Sequence, residues 1–383
     1  ENGTQITFTA VGGGETHVLI GGIVYHIVVT GDGHGFENGF CDHCDEYEAA
    51  KLVNGVYEIG NAGQLYWFAQ QVNGGQTTIN GKLTADIVVN ENVLKSDGSL
   101  GSGNFRAWTP IGAEKPGRYE GTFDGNFKTV SGLYFSNSSA DSVGLFGCLG
   151  QHGYVKNLAV LDTYFRGADY VGAIVGVNYG TVDSCYSNAT LKGKGCVGGI
   201  AGSVDGDFDN EVGSMYGGTV KCCYSLSYVQ GDTYVGGVAG YVMNMDSHTQ
   251  GRGTVANCFF LCDRTEPGEV DGLPVTLTEF ASGEIAYYLG DAFGQTIGTD
   301  PLPIFGGAKV YRNQTGGCTN ASFTYAYSNT EAAAVTTHDM VAATCRDAAH
   351  CARCGITQSK VKTQLHRTRA KLQAFLQKEG ITL

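Results

Sequence analysis

The stretch Val171-Gly-Ala-Ile-Val-Gly-Val177, with Gly180-Thr-Val-Asp-Ser-Cys185 close behind it, returns as Val197-Gly-Gly-Ile-Ala-Gly-Ser203 with Gly218-Thr-Val-Lys-Cys-Cys223. It returns again as Val235-Gly-Gly-Val-Ala-Gly-Tyr241 with Gly253-Thr-Val-Ala-Asn-Cys258, and Val143-Gly-Leu-Phe-Gly-Cys-Leu149 with Gly153-Tyr-Val-Lys-Asn-Leu158 precedes it. The first phrase starts at 143, 171, 197 and 235, so its steps are 28, 26 and 38 residues. A repeat of this length with one long insertion is the mark of a stacked architecture. Each unit holds two short β-prone runs parted by Gly, Asn and Asp turns, with no helical segment between them. One such unit cannot bury its apolar face alone. Stacked units can, because identical positions then pile up about 4.8 Å apart.

The expected fold class is therefore all-β: a parallel β-helix (β-solenoid) with short capping helices, a small N-terminal β element and a C-terminal basic helix. Composition agrees. The chain of 383 residues carries 59 Gly but only 6 Pro, and 42% of it is hydrophobic, which excludes collagen and Gly/Pro low-complexity disorder. Charged residues are only 16%, too few for a helical protein laced with Glu/Lys pairs. Gly is expected at the corners of each coil, where it tolerates positive φ, and within the runs, where it lets neighbouring walls approach. Cys185, Cys223 and Cys258 share one place in successive Gly-Thr-Val arms, with Leu158 there in the first, so this position is expected to face the core.

The repeats resemble the GLUG-motif family of bacterial surface proteins, whose signature is a Gly-Leu-any-Gly core in units of this kind. The resemblance covers about 140 to 265 and extends upstream through Lys82-Leu-Thr-Ala-Asp-Ile-Val-Val-Asn90 and Trp108-Thr-Pro-Ile-Gly112. It implies a secreted or cell-surface module, structural or adhesive, whose partner is a host or microbial glycan or protein. No apolar run approaches the length of about 20 residues that spans a bilayer.

The flanks divide into modules: an N-terminal β element with a Cys/His loop (1–50), a capping-helix segment (51–80), the repeats (81–265), a C-terminal cap region (266–330), a Cys/His module (331–357) and a basic amphipathic helix (358–383). Strands are expected at Ile6/Phe8, Val18/Ile20 and Val24 to Val29. Asn61 reads as an N-cap with Gln64 three residues on, and Leu65, Phe68, Ala69 and Val72 follow at helical spacing, a helix suited to cover the end of the first coil. A second helix is expected from Phe280 to Leu289, closed by Gly290.

Two Cys/His clusters bracket the chain: His34, Cys41 and Cys44 on one side, His338, Cys345, Cys351 and Cys354 on the other. Cys-x2-Cys puts two thiolates on one turn and suits structural zinc, and a disulfide is the competing reading. Among acids, Asp205, Asp207 and Asp209 with Glu211 form the densest group, a candidate calcium site without EF-hand spacing. Asp141, Asp162, Asp169 and Asp183 sit at turns, where Asp ordinarily bonds the backbone. Paired carboxylates across a groove are not evident, so the chain reads as non-enzymatic, with a carbohydrate-active β-helix enzyme as one alternative.

The net charge of −13 argues against a general nucleic-acid binder. The tail differs, with six Lys/Arg against one acid from Gln358 to Leu383. Gly355-Ile-Thr followed by Val361-Lys-x-x-Leu-x-Arg-x-Arg-x-x-Leu372 resembles the end of region 4 of extracytoplasmic-function sigma factors. The resemblance implies that Lys360, Lys362, Arg367 and Arg369 contact promoter DNA, making a transcription regulator the other alternative. Where that family has a preceding helix, this chain has its second Cys/His module.

Overall fold

A computed structural model describes residues 14–29, 35–42, 44–209, 214–243, 252–265, 272–316, 324–332, 340–341 and 350–351. It is strand-dominated and built on parallel sheets, as an all-β reading requires. The chain divides into two units, one comprising Glu1–Phe280 with Tyr288–Phe293, the other Ala281–Tyr287 with Gly294–Leu383.

In the first unit the two recurring phrases become parallel ladders. Gly-Thr-Val arms pair in register from Thr122 to Tyr154, Thr181, Thr219 and Thr254. The other phrase splits over two further sheets. Asp169–Gly172, Gly195–Gly198 and Thr233–Gly236 form one, with Val171, Val197 and Val235 as direct neighbours. Phe146–Leu149, Val175–Asn178, Ala201–Val204 and Ala239–Val242 form the other. The sequence alignment of the repeats is thus also their hydrogen-bonding register. The 38-residue step is absorbed by an antiparallel hairpin, Gly206–Asp209 with Ser214–Gly217, that leaves the ladders undisturbed.

The core follows the columns. Phe123, Val155, Val182 and Val220 are fully buried, and so are Leu158, Cys185 and Cys223, with Cys258 next in line. Burial pushes the thiols of Cys223 and Cys258 far above the ordinary range, and both donate to backbone carbonyls two residues back, at 3.1 and 3.2 Å. The inward position expected for these cysteines is the one they occupy.

The corners are not built as expected. The residue before each Val of the first phrase has positive φ, yet it is Ser142, Tyr170, Cys196 or Tyr234 (φ 53 to 60°). The residue before Leu158, Cys185, Cys223 and Cys258 does the same, as Asn157, Ser184, Cys222 and Asn257. Glycine instead serves the close approach of walls. A Cβ on Gly198 would stand 2.0 Å from the Ala201 carbonyl oxygen and 2.5 Å from the Gly240 nitrogen, closer than any side chain fits.

The helix Ala62–Asn73 is capped as its sequence announces: the Asn61 side chain accepts from Gln64 N at 2.9 Å. Leu65, Phe68, Ala69 and Val72 are buried. It is a crossover, since it links Val56–Ile59 to the parallel neighbour Asn80–Leu83. Phe68 meets Tyr119 and Phe123 edge-on, and Phe123 meets Phe146, so aromatic rings fill the core at this end. Further upstream, Gly14–Ile20 and Ile23–Val29 form a hairpin about Gly21-Gly22, both with positive φ. The strand expected at Ile6/Phe8 lies outside the described residues.

The helix expected from Phe280 to Leu289 is two helices, Leu277–Ala281 and Glu284–Leu289, parted at Gly283 (φ +85°), which no helix can include. In the second unit the antiparallel hairpin Tyr311–Gly316 with Thr324–Ser328 is tied to Glu284 by the Tyr327 hydroxyl at 2.9 Å.

Candidate functional site

One outward face of the ladders carries chemistry. Tyr134–Ser136, Tyr154–Arg166, Tyr186–Lys192 and Tyr228–Gln230 run side by side and parallel. Strand alternation sends Phe165, Leu191 and Val229 inward. Their neighbours form two outward columns. One is Tyr134, Tyr164, Thr190, Tyr228; the other is Ser136, Arg166, Lys192, Gln230. Phe105 leans on Tyr134 at 5.4 Å, and Tyr134 stacks on Tyr164 at 6.1 Å, so ring faces are turned on one another. Burial raises the Tyr164 phenol above its ordinary pKa, which keeps it protonated.

A loop crosses part of this face and frames it. Asp162 accepts from the backbone nitrogens of Val93 and Leu94 at 3.1 and 2.7 Å, the Thr190 hydroxyl donates to Gly98 O at 2.6 Å, and Gly98 lies against the Tyr228 ring. Beside the loop, Arg264 stacks over Tyr228 at 4.6 Å and donates to Leu226 O at 2.7 Å. On the uncovered side a groove of about 450 Å³ is lined by Tyr164, Arg166, Lys192, Lys194, Gln230 and Asp232. The apolar spacing of the repeats does not mark these cations. Arg166, Lys192 and Gln230 each stand five residues before the Val that opens the next unit, a signal that reading the repeats by their apolar positions passed over.

The inserted hairpin carries a second charged cluster. Asp207 accepts from Arg118 Nη1 at 2.7 Å and pairs with Lys115. Arg118 stacks 3.6 Å over Tyr179, and its Nε is buried with no hydrogen-bond partner among the described residues. Burial raises the Asp205 carboxyl pKa against the hydrogen bond from Ser203 Oγ at 2.8 Å, and likewise pushes the Tyr216 phenol up to about 12. Asp207 is thus engaged by two cations, while burial holds the Asp205 carboxyl above its ordinary pKa. Asp207 clamps the hairpin to Arg118 and Lys115, whereas the calcium reading rests also on the Asp209 side chain and on Glu211, which lie outside the described residues.

Cys41 ends the short hairpin Phe36–Glu37 with Phe40–Cys41, and Cys44 is exposed nearby. A hydrogen bond involving the Glu46 backbone lowers the Cys44 pKa, but the Cys41 thiol, loss of solvent and the Glu46 charge together outweigh it and the net shift is upward. His34, the third residue of that set, lies outside the described residues, as do His338, Cys345, Cys354, Lys360, Lys362, Arg367 and Arg369. Of the second set only the Cys351 backbone is described, in the strand His350–Cys351 paired with Met340–Val341. Among the described residues no three His, Cys, Asp or Glu side chains gather to hold a metal. No helix among them is long and apolar enough to cross a membrane.

No family model matches the chain, and no solved structure matches it. Part of it is similar to Halomucin of Haloquadratum walsbyi, 36% identical over 87 residues, covering 23% of this chain and 1% of that protein. Part is similar to a putative Gly-rich membrane protein of Evansella cellulosilytica, 38% identical over 80 residues, covering 20% of this chain and 9% of that protein. The chain therefore matches only a small fraction of the length of these curated relatives.

Proposed function

We propose that the three ladders are faces of one parallel β-solenoid of the GLUG type, and that the chain is a non-enzymatic module of a secreted or cell-surface bacterial protein, presenting an adhesive face to a glycan or protein. The observation that carries this reading is the register: equivalent residues of successive units neighbour one another on all three sheets, which a winding chain produces and separate hairpins do not. A rigid stack of this kind offers long outward columns, and one of them bears tyrosines beside cations. The similarity of part of the chain to a putative Gly-rich membrane protein supports placement at the surface.

The test is an array of glycans and extracellular-matrix proteins probed with the purified chain, with soluble products assayed in parallel. Saturable binding with no release of cleaved saccharide is expected. Turnover of a bound polysaccharide overturns the non-enzymatic reading, and silence across the array removes the adhesive one.

A further inference from the structure

In another column of these ladders the outward charges cancel. Asp124, Lys156, Asp183 and Lys221 are successive register partners in one column, and their signs alternate. Lys156 pairs with Asp124 at 3.3 Å and Lys221 with Asp183 at 3.1 Å. The column Ser136, Arg166, Lys192, Gln230 breaks that rule. Arg166 and Lys192 are direct register partners, so two cations stand one strand spacing apart, an arrangement that disfavours folding. Neither they nor Lys194 forms an ion pair among the described residues. Lys194 faces the same groove, and Asp232 is the one acid in its lining. The line continues past Lys192 and Gln230 into a second hollow that adds Arg264 and Asp97. A chain of net charge −13 thus keeps a run of uncompensated cations on one strip of surface.

We infer that this strip binds an anionic polysaccharide, a chain of carboxylated or sulfated sugars laid along the column so that successive acid groups meet Arg166 and Lys192, with Lys194 flanking them in the groove. The inference rests on the adhesive reading above and names its ligand class. Cations repeated at the strand spacing suit a polymer with a charge on successive residues, and Gln230 and the protonated Tyr164 hydroxyl supply hydrogen bonds to sugar hydroxyls. The rings favour a sugar acid over a single-stranded nucleic acid. Base stacking needs an open ring face, whereas Tyr134 and Tyr164 stack on each other and Arg264 covers Tyr228.

The full chain is titrated with polygalacturonate, dextran sulfate, neutral dextran and oligo(dT), the parent beside the double variant R166Q/K192Q. A second variant replaces Lys360, Lys362, Arg367 and Arg369 with Gln, and K156Q serves as the paired-cation control. The parent is expected to bind one or both acidic polysaccharides in a salt-sensitive way and neutral dextran not at all. R166Q/K192Q should weaken that binding by about tenfold or more without lowering the unfolding midpoint, and K156Q should bind as the parent does. Binding that survives R166Q/K192Q and vanishes in the tail variant overturns the inference, as does oligo(dT) binding tighter than either polysaccharide. Binding of neutral glycans or matrix proteins without polyanion binding sinks this inference alone and leaves the adhesive reading standing.

Discussion

At the scale of single residues, the corners deserve first consideration because glycine is so abundant and yet does not make them. A left-handed residue with a side chain costs roughly 1–2 kcal/mol, less for Asn, whose short amide bonds locally. At one corner the units use Asn157, Ser184, Cys222 and Asn257, so Cys222 is the poorest fit among equivalents. Cys222→Asn is expected to raise stability by about 1 kcal/mol, read as a higher urea midpoint with unchanged slope. A lower midpoint would mean that the thiol makes a contact worth more than the strain. Asp205 gives a second expectation. Burial raises its folded-state pKa above the ordinary 3.8, so the native chain holds the proton more tightly than the unfolded one. The carboxyl's contribution to stability is then fully present below that ordinary value, declines as pH rises through the raised one, and stays flat above. Asp205→Asn should match or exceed the parent in thermal stability at pH 7 and lose that margin near pH 3.5. Loss of stability at pH 7 alone would show instead that attraction to Arg118 outweighs burial. Neither feature was legible in the sequence, because both depend on backbone angles and burial that single residue types do not encode.

At the scale of elements, local signals were readable where the chemistry is local. The helix Ala62–Asn73 is the clearest case. Asn61 accepts from Gln64 N, Gln64 accepts from Gly60 N at 2.7 Å, and both amides donate to Glu48, so the cap is joined to the preceding loop. Asn61→Ala is expected to cost about 2 kcal/mol, the upper end for a cap, because the Glu48 carboxylate loses a donor as well. Chemical denaturation checks it, and a loss under about 0.5 kcal/mol would place the helix start elsewhere. By contrast, the inserted hairpin and its clamp were not legible. Arg118 and Asp207 lie far apart in sequence and meet only because the ladders bring their units together. The cationic column is a similar case: Arg166 and Lys192 are ordinary surface residues until the register makes them neighbours.

At the scale of the whole molecule, periodicity was the one long-range fact that the sequence stated outright, and it supplied the register of every ladder. A stack held together by nearest-neighbour contacts should tolerate removal of a complete unit, since the flanking units then meet with equivalent residues opposed. Deleting 171–196 brings Val143 against Val197 and Tyr154 against Thr219, keeping apolar columns in line. It also sets Lys156 beside Lys221, and it removes Tyr179 from beneath Arg118 and Ser187 from its bonds with Ser225 and Ser227. The like-charge contact costs up to about 1 kcal/mol, and the lost polar contacts add to it, so the shortened chain should be less stable but still folded. Circular dichroism should retain the β signature, and urea unfolding should stay a single transition with a smaller slope, as less surface is buried. Deleting only 171–183, half of the unit, leaves its remainder without matching partners in the preceding unit and should give an aggregating or unfolded chain. If the two deletions behave alike, the ladders are not faces of one winding stack, and the solenoid must be abandoned along with the continuous cationic strip that depends on it.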